Sequence, residues 1–174
     1  SGSNKINLYK KSINLLIEIQ KIKQNIIKNF KGKNYKVPIY ENDTLFKEAK
    51  LFSDWYAKKY ISKKKLPIVK IERNKQIKFL LSNLKIKNET LVHRDFHVSN
   101  LMRHKKKLAV IDTQDALIGN RAYDLASLID DVRIKLPQDL QNKLFKFYWQ
   151  GSKYKNEKEE KLKNDFDILS VQRN

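Results

Sequence analysis

Hydrophobic positions recur at helical spacing through the first half of the chain. Residues 6–30 carry apolar side chains three, four or seven positions apart, which predicts an amphipathic helix that ends near Gly32. A second helix is predicted to begin at Asn42 or Asp43, because either side chain can cap the first N–H groups. A third helix is predicted over residues 67–84. The second helix is expected to turn one wide face into the core, formed by Leu45, Phe46, Ala49, Phe52, Tyr56 and Tyr60.

The spacing changes in the middle of the chain. Residues 91–92 and 108–111 are short apolar runs bounded by polar turns, which predicts buried strands on either side of a polar loop. Helical spacing returns over residues 123–132 and 140–149, and the charged tail at 153–174 also ends in a helical pattern. Internal repeats and Gly/Ser-rich linkers are absent from the sequence. The predicted fold class is therefore one mainly α unit that carries a small β insert.

Charge changes the range of functions to consider. The 174 residues include 38 Lys and Arg against 19 Asp and Glu, so the formal net charge is +19. Such a charge is typical of nucleic-acid-binding proteins, but 32 of the basic residues are Lys and only 6 are Arg, the residue favoured for phosphate and base recognition. Lys, Ile and Asn share A/T-rich codons, so base composition explains the excess better than a binding surface. The Lys runs at 63–65 and 105–107 are interpreted as solvated loops.

Other compositional features exclude several classes. The chain has no cysteine, which rules out disulfide scaffolds, Cys-ligated metals and thiol catalysis. It has no apolar run of the roughly 20 residues that cross a bilayer. We therefore expect a cytoplasmic protein without a membrane partner. Residues 1–3, Ser-Gly-Ser, are interpreted as a remnant of cloning, which leaves residues 4–174 as the folded unit.

The candidate chemistry lies between the two predicted strands and just after them. Asp95 and Asn100 stand five positions apart in the polar loop, and Asp112 follows the second apolar run. Phosphoryl transfer needs a carboxylate that orients a hydroxyl nucleophile and oxygen ligands for Mg²⁺, which prefers hard donors. Each residue alone would be interpreted as a turn former. The ordered set, with His93 two positions before Asp95, favours a kinase-type site.

Three segments carry a resemblance to a known family. They are His93-Arg94-Asp95-Phe96-His97-Val98-Ser99-Asn100-Leu101-Met102, Ile111-Asp112-Thr113-Gln114-Asp115-Ala116 and Ala122-Tyr123-Asp124-Leu125-Ala126-Ser127-Leu128. Together they resemble the aminoglycoside-phosphotransferase-like branch of the protein-kinase fold. Within that branch the chain is similar to bacterial anomeric kinases of N-acetylmuramate and N-acetylglucosamine, which act in cell-wall recycling. Residues 45–56 and 166–173 extend the similarity to almost the whole chain.

The resemblance implies roles for individual residues. Asp95 would be the catalytic base that positions the acceptor hydroxyl, and Asn100 and Asp112 would bind Mg²⁺. The implied cofactors are ATP and Mg²⁺, and the implied partner is a small-molecule hydroxyl substrate. Support for the catalytic loop would come from His93, His97 and Asp124, the last as a buried acceptor of backbone hydrogen bonds. Gln114 and Asp115 are candidates for contact with substrate or with metal-bound water.

The groups that bind ATP in this fold are not recognisable in the sequence. A complete kinase has an N-terminal lobe with a phosphate-covering loop, a strand Lys paired with a helix Glu, and a hinge for adenine. The four glycines of this chain are too dispersed to form such a loop. We therefore expect a C-terminal lobe truncated at both ends, inactive alone, whose partner is the N-terminal lobe of the same protein. The alternative left open is a basic helical module that binds nucleic acid or another partner without catalysis.

Overall fold

The computed structural model describes residues 2–22, 25–28, 30–105 and 107–173. Most of these residues are helical, and none of the described helices is long and apolar enough to cross a membrane. The helices are α1 (Gly2–Ile19), α2 (Asn42–Leu51), α3 (Ala57–Tyr60), α4 (Leu66–Ser82), α5 (Ala122–Ile129), α6 (Gln138–Gly151) and α7 (Glu159–Arg173). One π-helical turn, Phe52–Tyr56, joins α2 to α3, and a 3₁₀ turn covers Val98–Asn100. The predicted mainly α fold class with a small β insert is confirmed.

Six short strands form three antiparallel pairs within the described residues. The strands are β1 (Ile26–Lys28), β2 (Asn34–Lys36), β3 (Thr90–Val92), β4 (Leu101–His104), β5 (Lys107–Val110) and β6 (Leu117–Gly119). The pairs are β1 with β2, β3 with β6, and β4 with β5. The polar loop at residues 93–100 therefore leaves one pair and enters the next. Residues 38–40 lie along β6, because Tyr40 N–H donates to the carbonyl of Ile118 and Ile118 N–H donates to Pro38.

The core is built around α5. Every residue of this helix is buried, and it packs against α7, α6 and α1. Full burial of one aliphatic side chain contributes about 1.5–3 kcal/mol, so a wholly buried helix fixes its position firmly. Hydrogen bonds also hold its start, because Gln20 donates to the carbonyl of Arg121 and Tyr148 donates to Gln20. Helix α5 is thus a rigid base for the loop that precedes β4.

The first predicted helix is too long. Helix α1 ends at Ile19, and Ile26 and Ile27 instead belong to the β1–β2 hairpin. β-branched residues fit a strand better than a helix, and Gly32 supplies the left-handed conformation of the turn with φ of 72°. The predicted helix also covers residues 23, 24 and 29, which lie outside the described residues.

The aromatic face predicted for the core is wrong in its second half. Phe52, Tyr56 and Tyr60 are 46%, 55% and 64% exposed, although their rings stack in sequence along one side of the helix. The buried strip after Ala49 continues instead through Ser53 and Ala57. Ser53 contacts α4, whose Arg73 donates hydrogen bonds to the carbonyl of Ala49 and to the Ser53 hydroxyl. The aromatic residues lie one position to the side of this contact.

Smaller corrections concern boundaries and burial. The second predicted helix begins at Asn42, but the Asn42 amide donates to the carbonyl of Leu81 instead of capping its own helix. The strand predicted over 108–111 exists as β5 but is only half-buried, and among the described residues it pairs with β4 on one side. Lys63, Lys64 and Lys65 form an exposed turn, as predicted. Lys105 forms the turn between β4 and β5, whereas residue 106 and the last residue of the predicted tail, 174, lie outside the described residues.

The helices predicted later in the chain are confirmed with shifted ends. The third predicted helix, 67–84, corresponds to α4. The segment 123–132 is helical as α5 but stops at Ile129, and 140–149 is part of the longer α6, which starts directly after Pro137. The tail forms α7 from Glu159 onwards.

Candidate active site

The loop at residues 93–100 is fastened to α5 by one carboxylate. Asp124 is completely buried and accepts hydrogen bonds from the backbone N–H of His93 at 2.7 Å and of Arg94 at 3.0 Å. Burial raises the pKa of Asp124 to about 6, while the two N–H groups favour its ionised form. The start of the loop is therefore held by a group whose protonation depends on pH.

A second set of contacts clamps Arg94. Its backbone has a φ of 75°, a conformation that costs a non-glycine residue free energy and persists only where the surroundings impose it. Its guanidinium pairs with Glu48 of α2 at 2.6 Å, and Arg173 of α7 donates to its carbonyl at 2.9 Å. Glu48 also accepts a hydrogen bond from the Tyr40 hydroxyl, whose oxygen accepts the hydroxyl proton of Tyr123 at 3.0 Å. Three helices thus fix the residue that precedes Asp95.

Asp95 and Asn100 lie together in this loop. The carbonyl of Asp95 accepts hydrogen bonds from the N–H of His97 and from the side-chain amide of Asn100, both at 3.0 Å. The side chain of Asp95 is exposed, so its carboxylate is accessible to a ligand. The 3₁₀ turn Val98–Asn100 places the Asn100 side chain where its amide reaches the backbone of Asp95.

Asp112 reaches the same loop through its neighbour. The N–H of Ile111 donates to the carbonyl of Asn100 at 3.0 Å, and the His93 ring Nε2 donates to the carbonyl of Ile111 at 2.9 Å. Asp112 itself has a φ of 69°, the second strained position at this site. Its exposed carboxylate accepts a hydrogen bond from Gln114, and Asp115 lies beside Gln114 in an exposed turn.

The donor chemistry of these residues fits Mg²⁺ shared with a phosphate. Asp112, Asn100 and Asp95 each carry a side-chain oxygen that can bind a hard cation, and Mg²⁺ usually combines one or two carboxylates with water and substrate phosphates. Within the part of the chain that the structure describes, no three His, Cys, Asp or Glu side chains converge to hold a metal by themselves. The set is therefore suited to a metal that arrives with its nucleotide.

The ring of His97, within the loop, is buried and contacts Arg133. The distance from its ring Nε2 to Arg133 Nη1 is 3.3 Å, and because Arg only donates, Nε2 is the acceptor. Burial, followed by the charge of Arg133, lowers the pKa of His97, so the ring is neutral at neutral pH. Its Nδ1 and the Nδ1 of His93 are buried without hydrogen-bond partners among the described residues.

Sequence reasoning missed three residues that support this site. Glu48 and Arg173 lie in the segments of family resemblance, 45–56 and 166–173, so their positions were a usable signal. Arg133 follows Asp131 after α5 and had no recognisable signal. All three act through contacts between distant segments, which residue spacing does not reveal.

Comparisons with known proteins agree with the geometry. The model of a family described as the phosphotransferase enzyme family matches residues 7–159. An N-acetylmuramate/N-acetylglucosamine kinase of Neisseria meningitidis is 30% identical over 142 residues, which cover 82% of this chain and 40% of that protein. Kinases of the same name from Pseudomonas putida and Pseudomonas aeruginosa are 25% and 30% identical, covering 86% and 79% of this chain. The chain spans about two-fifths of the length of these relatives.

Proposed function

The chain belongs to the phosphotransferase enzyme family, and we propose that it supplies the catalytic lobe of an ATP- and Mg²⁺-dependent kinase. The proposed reaction transfers the γ-phosphoryl group of ATP to a hydroxyl of a small molecule. The observation that carries the proposal is that Asp95, Asn100 and the segment after β5 meet at one loop. The carboxylates of Asp95 and Asp112 are both exposed there. Family membership favours this function over a basic module without catalysis.

The chemistry assigns one role to each exposed group. The acceptor oxygen attacks the γ-phosphorus, the bond to the bridging oxygen of ADP breaks, and Asp95 takes the hydroxyl proton. Asn100 and Asp112 would hold Mg²⁺, which supplies charge neutralisation at the phosphates. The contacts on Arg94 and the buried Asp124 hold Asp95 in place. Such positioning matters for the rate, since orientation alone is worth roughly 7–11 kcal/mol of a barrier.

The names of the relatives support an amino sugar as acceptor. They are kinases of N-acetylmuramate and N-acetylglucosamine, so we propose the anomeric hydroxyl of such a sugar and a place in cell-wall recycling in the cytoplasm. We further propose that residues 4–174 are the C-terminal lobe, and that an N-terminal lobe of the same protein binds the adenine and covers the phosphates. Gln114 and Asp115 are proposed to contact the substrate or metal-bound water.

The test is a kinetic assay on the enzyme that contains this lobe, with N-acetylmuramate, N-acetylglucosamine, an aminoglycoside and an amino alcohol as acceptors. Asp95→Asn is expected to lower kcat by about 10²–10⁴-fold and to leave ATP affinity nearly unchanged. Asp112→Asn is expected to lower turnover by orders of magnitude, because it weakens a metal ligand. Asp139→Asn, an exposed change on α6, is the matched control. Loss of ATP binding in the Asp95 variant beside an active Asp112 variant would refute these roles.

A separate assay tests the division into lobes. Residues 1–174 alone should bind Mg·ATP weakly and phosphorylate no sugar, since the nucleotide-aligning groups belong to the other lobe. Sugar-dependent consumption of ATP by residues 1–174, abolished by Asp95→Asn, would contradict this part of the proposal.

A further inference from the structure

Arg133 is an arginine held rigidly next to the candidate base. Its Nε donates to Asp131 Oδ1 at 2.8 Å and its Nη2 donates to Asp131 Oδ2 at 3.0 Å. The Asp131 side chain is only 6% exposed, and it also accepts the backbone N–H of Arg133. A two-point contact with a buried carboxylate fixes the plane of the guanidinium before any ligand binds.

The guanidinium of Arg133 lies close to Asp95 in the loop. Its Nη1 reaches the ring of His97, which stands two residues after Asp95 and whose backbone N–H donates to the Asp95 carbonyl. The hydrogen bond with Asp131 raises the pKa of Arg133, and the negative charge of Asp95 contributes to the same increase. Arg133 and Asp95 are therefore neighbours, and both are exposed.

Arg133 retains donors for a ligand. Its side chain is 51% exposed although its partner is buried. Among the described residues, Asp131 and His97 use three of its five N–H groups, which leaves one on Nη1 and one on Nη2. A fixed guanidinium with two remaining donors is well suited to bind a carboxylate.

We infer that Arg133 is a specificity-determining residue that binds the carboxylate of an anionic sugar acceptor while Asp95 positions the reacting hydroxyl. The inference rests on the proposed function and adds the substrate class that the loop selects. Without Arg133, the negative charges of Asp95 and Asp131 would repel an acidic sugar at this end of the loop. Removal of Arg133 should therefore lower the affinity for an acidic acceptor far more than the affinity for a neutral one.

Equilibrium binding to the isotopically labelled chain tests this without catalysis. The ligands are N-acetylmuramate, which carries a lactyl carboxylate, and its methyl ester, which has the same body without the charge. By NMR titration, the unsubstituted chain is expected to bind the acid about tenfold or more tightly than the ester. Arg133→Gln should abolish that preference, and Arg133→Lys should retain part of it, since the charge remains but the fork is lost.

Two controls separate the outcomes. Lys143→Gln removes one positive charge from an exposed position on α6 and should leave the preference unchanged. Far-UV circular dichroism of each variant shows whether it folds, and Arg133→Lys still decides the question should Arg133→Gln unfold. An equal affinity for acid and ester in the unsubstituted chain, binding of neither, or a preference that survives Arg133→Gln overturns the inference.

Kinetics of the enzyme that contains this lobe give an independent readout. Arg133→Gln should lower kcat/KM about tenfold or more further for N-acetylmuramate than for N-acetylglucosamine, mainly through KM. Equal losses for the two sugars would instead make Arg133 a support for the loop and overturn the inference. An enzyme that phosphorylates no sugar refutes the proposed function, whereas the acid and ester titration still decides the role of Arg133.

Discussion

Replacement of Asp124 by Asn tests the balance of forces that holds the catalytic loop. The carboxylate is buried, which favours its protonated form, yet it accepts two backbone N–H groups, which favour its ionised form. Burial dominates, because the pKa of Asp124 is raised from 3.8 to about 6. Between about pH 4 and pH 6, Asp124 is therefore protonated in the folded wild-type chain and ionised in the unfolded chain.

The sign and size of the pH effect follow from this difference. A folded-state pKa above the unfolded value gives stability that is complete below pH 4 and lost as the pH rises through 6. A difference of about 2 pKa units at 1.36 kcal/mol per unit amounts to about 3 kcal/mol. Asn cannot titrate, so the variant lacks this contribution. It also replaces one acceptor oxygen by an NH2 group, which leaves one of the two backbone N–H groups without an acceptor and costs about 1–3 kcal/mol.

Urea unfolding at several pH values between 4 and 7 measures the outcome. We expect Asp124→Asn to be less stable than the wild type by the largest margin near pH 4, and that margin to shrink by about 3 kcal/mol towards pH 7. Asp139→Asn, on the exposed surface of α6, removes only an exposed ion pair and should stay within about 0.5 kcal/mol of the wild type across this range. A margin that grows with pH would refute the reasoning, since it would show that the two N–H groups outweigh burial.

Three further predictions concern the surroundings of the loop. Gly119→Ala should lower the free energy of unfolding by about 1–3 kcal/mol in urea, because its new Cβ would lie 3.0 Å from a side chain of β3. Gly151→Ala, whose nearest contact would be 3.2 Å, should cost less, and an equal loss would contradict the packing argument. NMR titration should give His97 a pKa below 6.5, so its contribution to stability is complete above that pH and declines on acidification; a higher value would place Asp95 and Asp131 in control. Arg173→Gln should destabilise the chain by about 1 kcal/mol in the same urea assay, because it removes a hydrogen bond to the carbonyl of Arg94. An unchanged free energy of unfolding would show that this hydrogen bond is dispensable.

The elements that sequence reasoning predicted well are those with long, regular spacing. Helices α4 and α6 repeat their apolar residues over several turns, so their existence was clear although their ends shifted. The β1–β2 hairpin was missed because Ile22 and Ile26 continue the spacing of α1 by coincidence. Strands β4 and β6 were missed because they are three or four residues long, and the partner of β6 is distant in the chain.

The exposed aromatic residues show a limit of another kind. Spacing places Phe52, Tyr56 and Tyr60 on one side of a helix, and hydrophobicity suggests that this side is buried. The structure instead buries the neighbouring strip of small residues, which contains Ser53 and Ala57, and Ser53 accepts a hydrogen bond from Arg73 of α4. A pattern of apolar residues identifies a face but does not decide between two adjacent faces of similar character.

The candidate site divides in the same way between local and distant determinants. Asp95, Asn100 and Asp112 belong to short motifs, and their residue types and spacing were sufficient to single them out. Their positions depend on Glu48, Asp124 and Arg173, which come from helices 30 to 79 positions away in sequence. The left-handed backbone of Arg94 is unfavourable by itself, so the loop keeps its shape only while these contacts exist. The site therefore forms with the docking of α7 onto α5 and of α2 onto α7, and its precision is a property of the whole core, not of the motif.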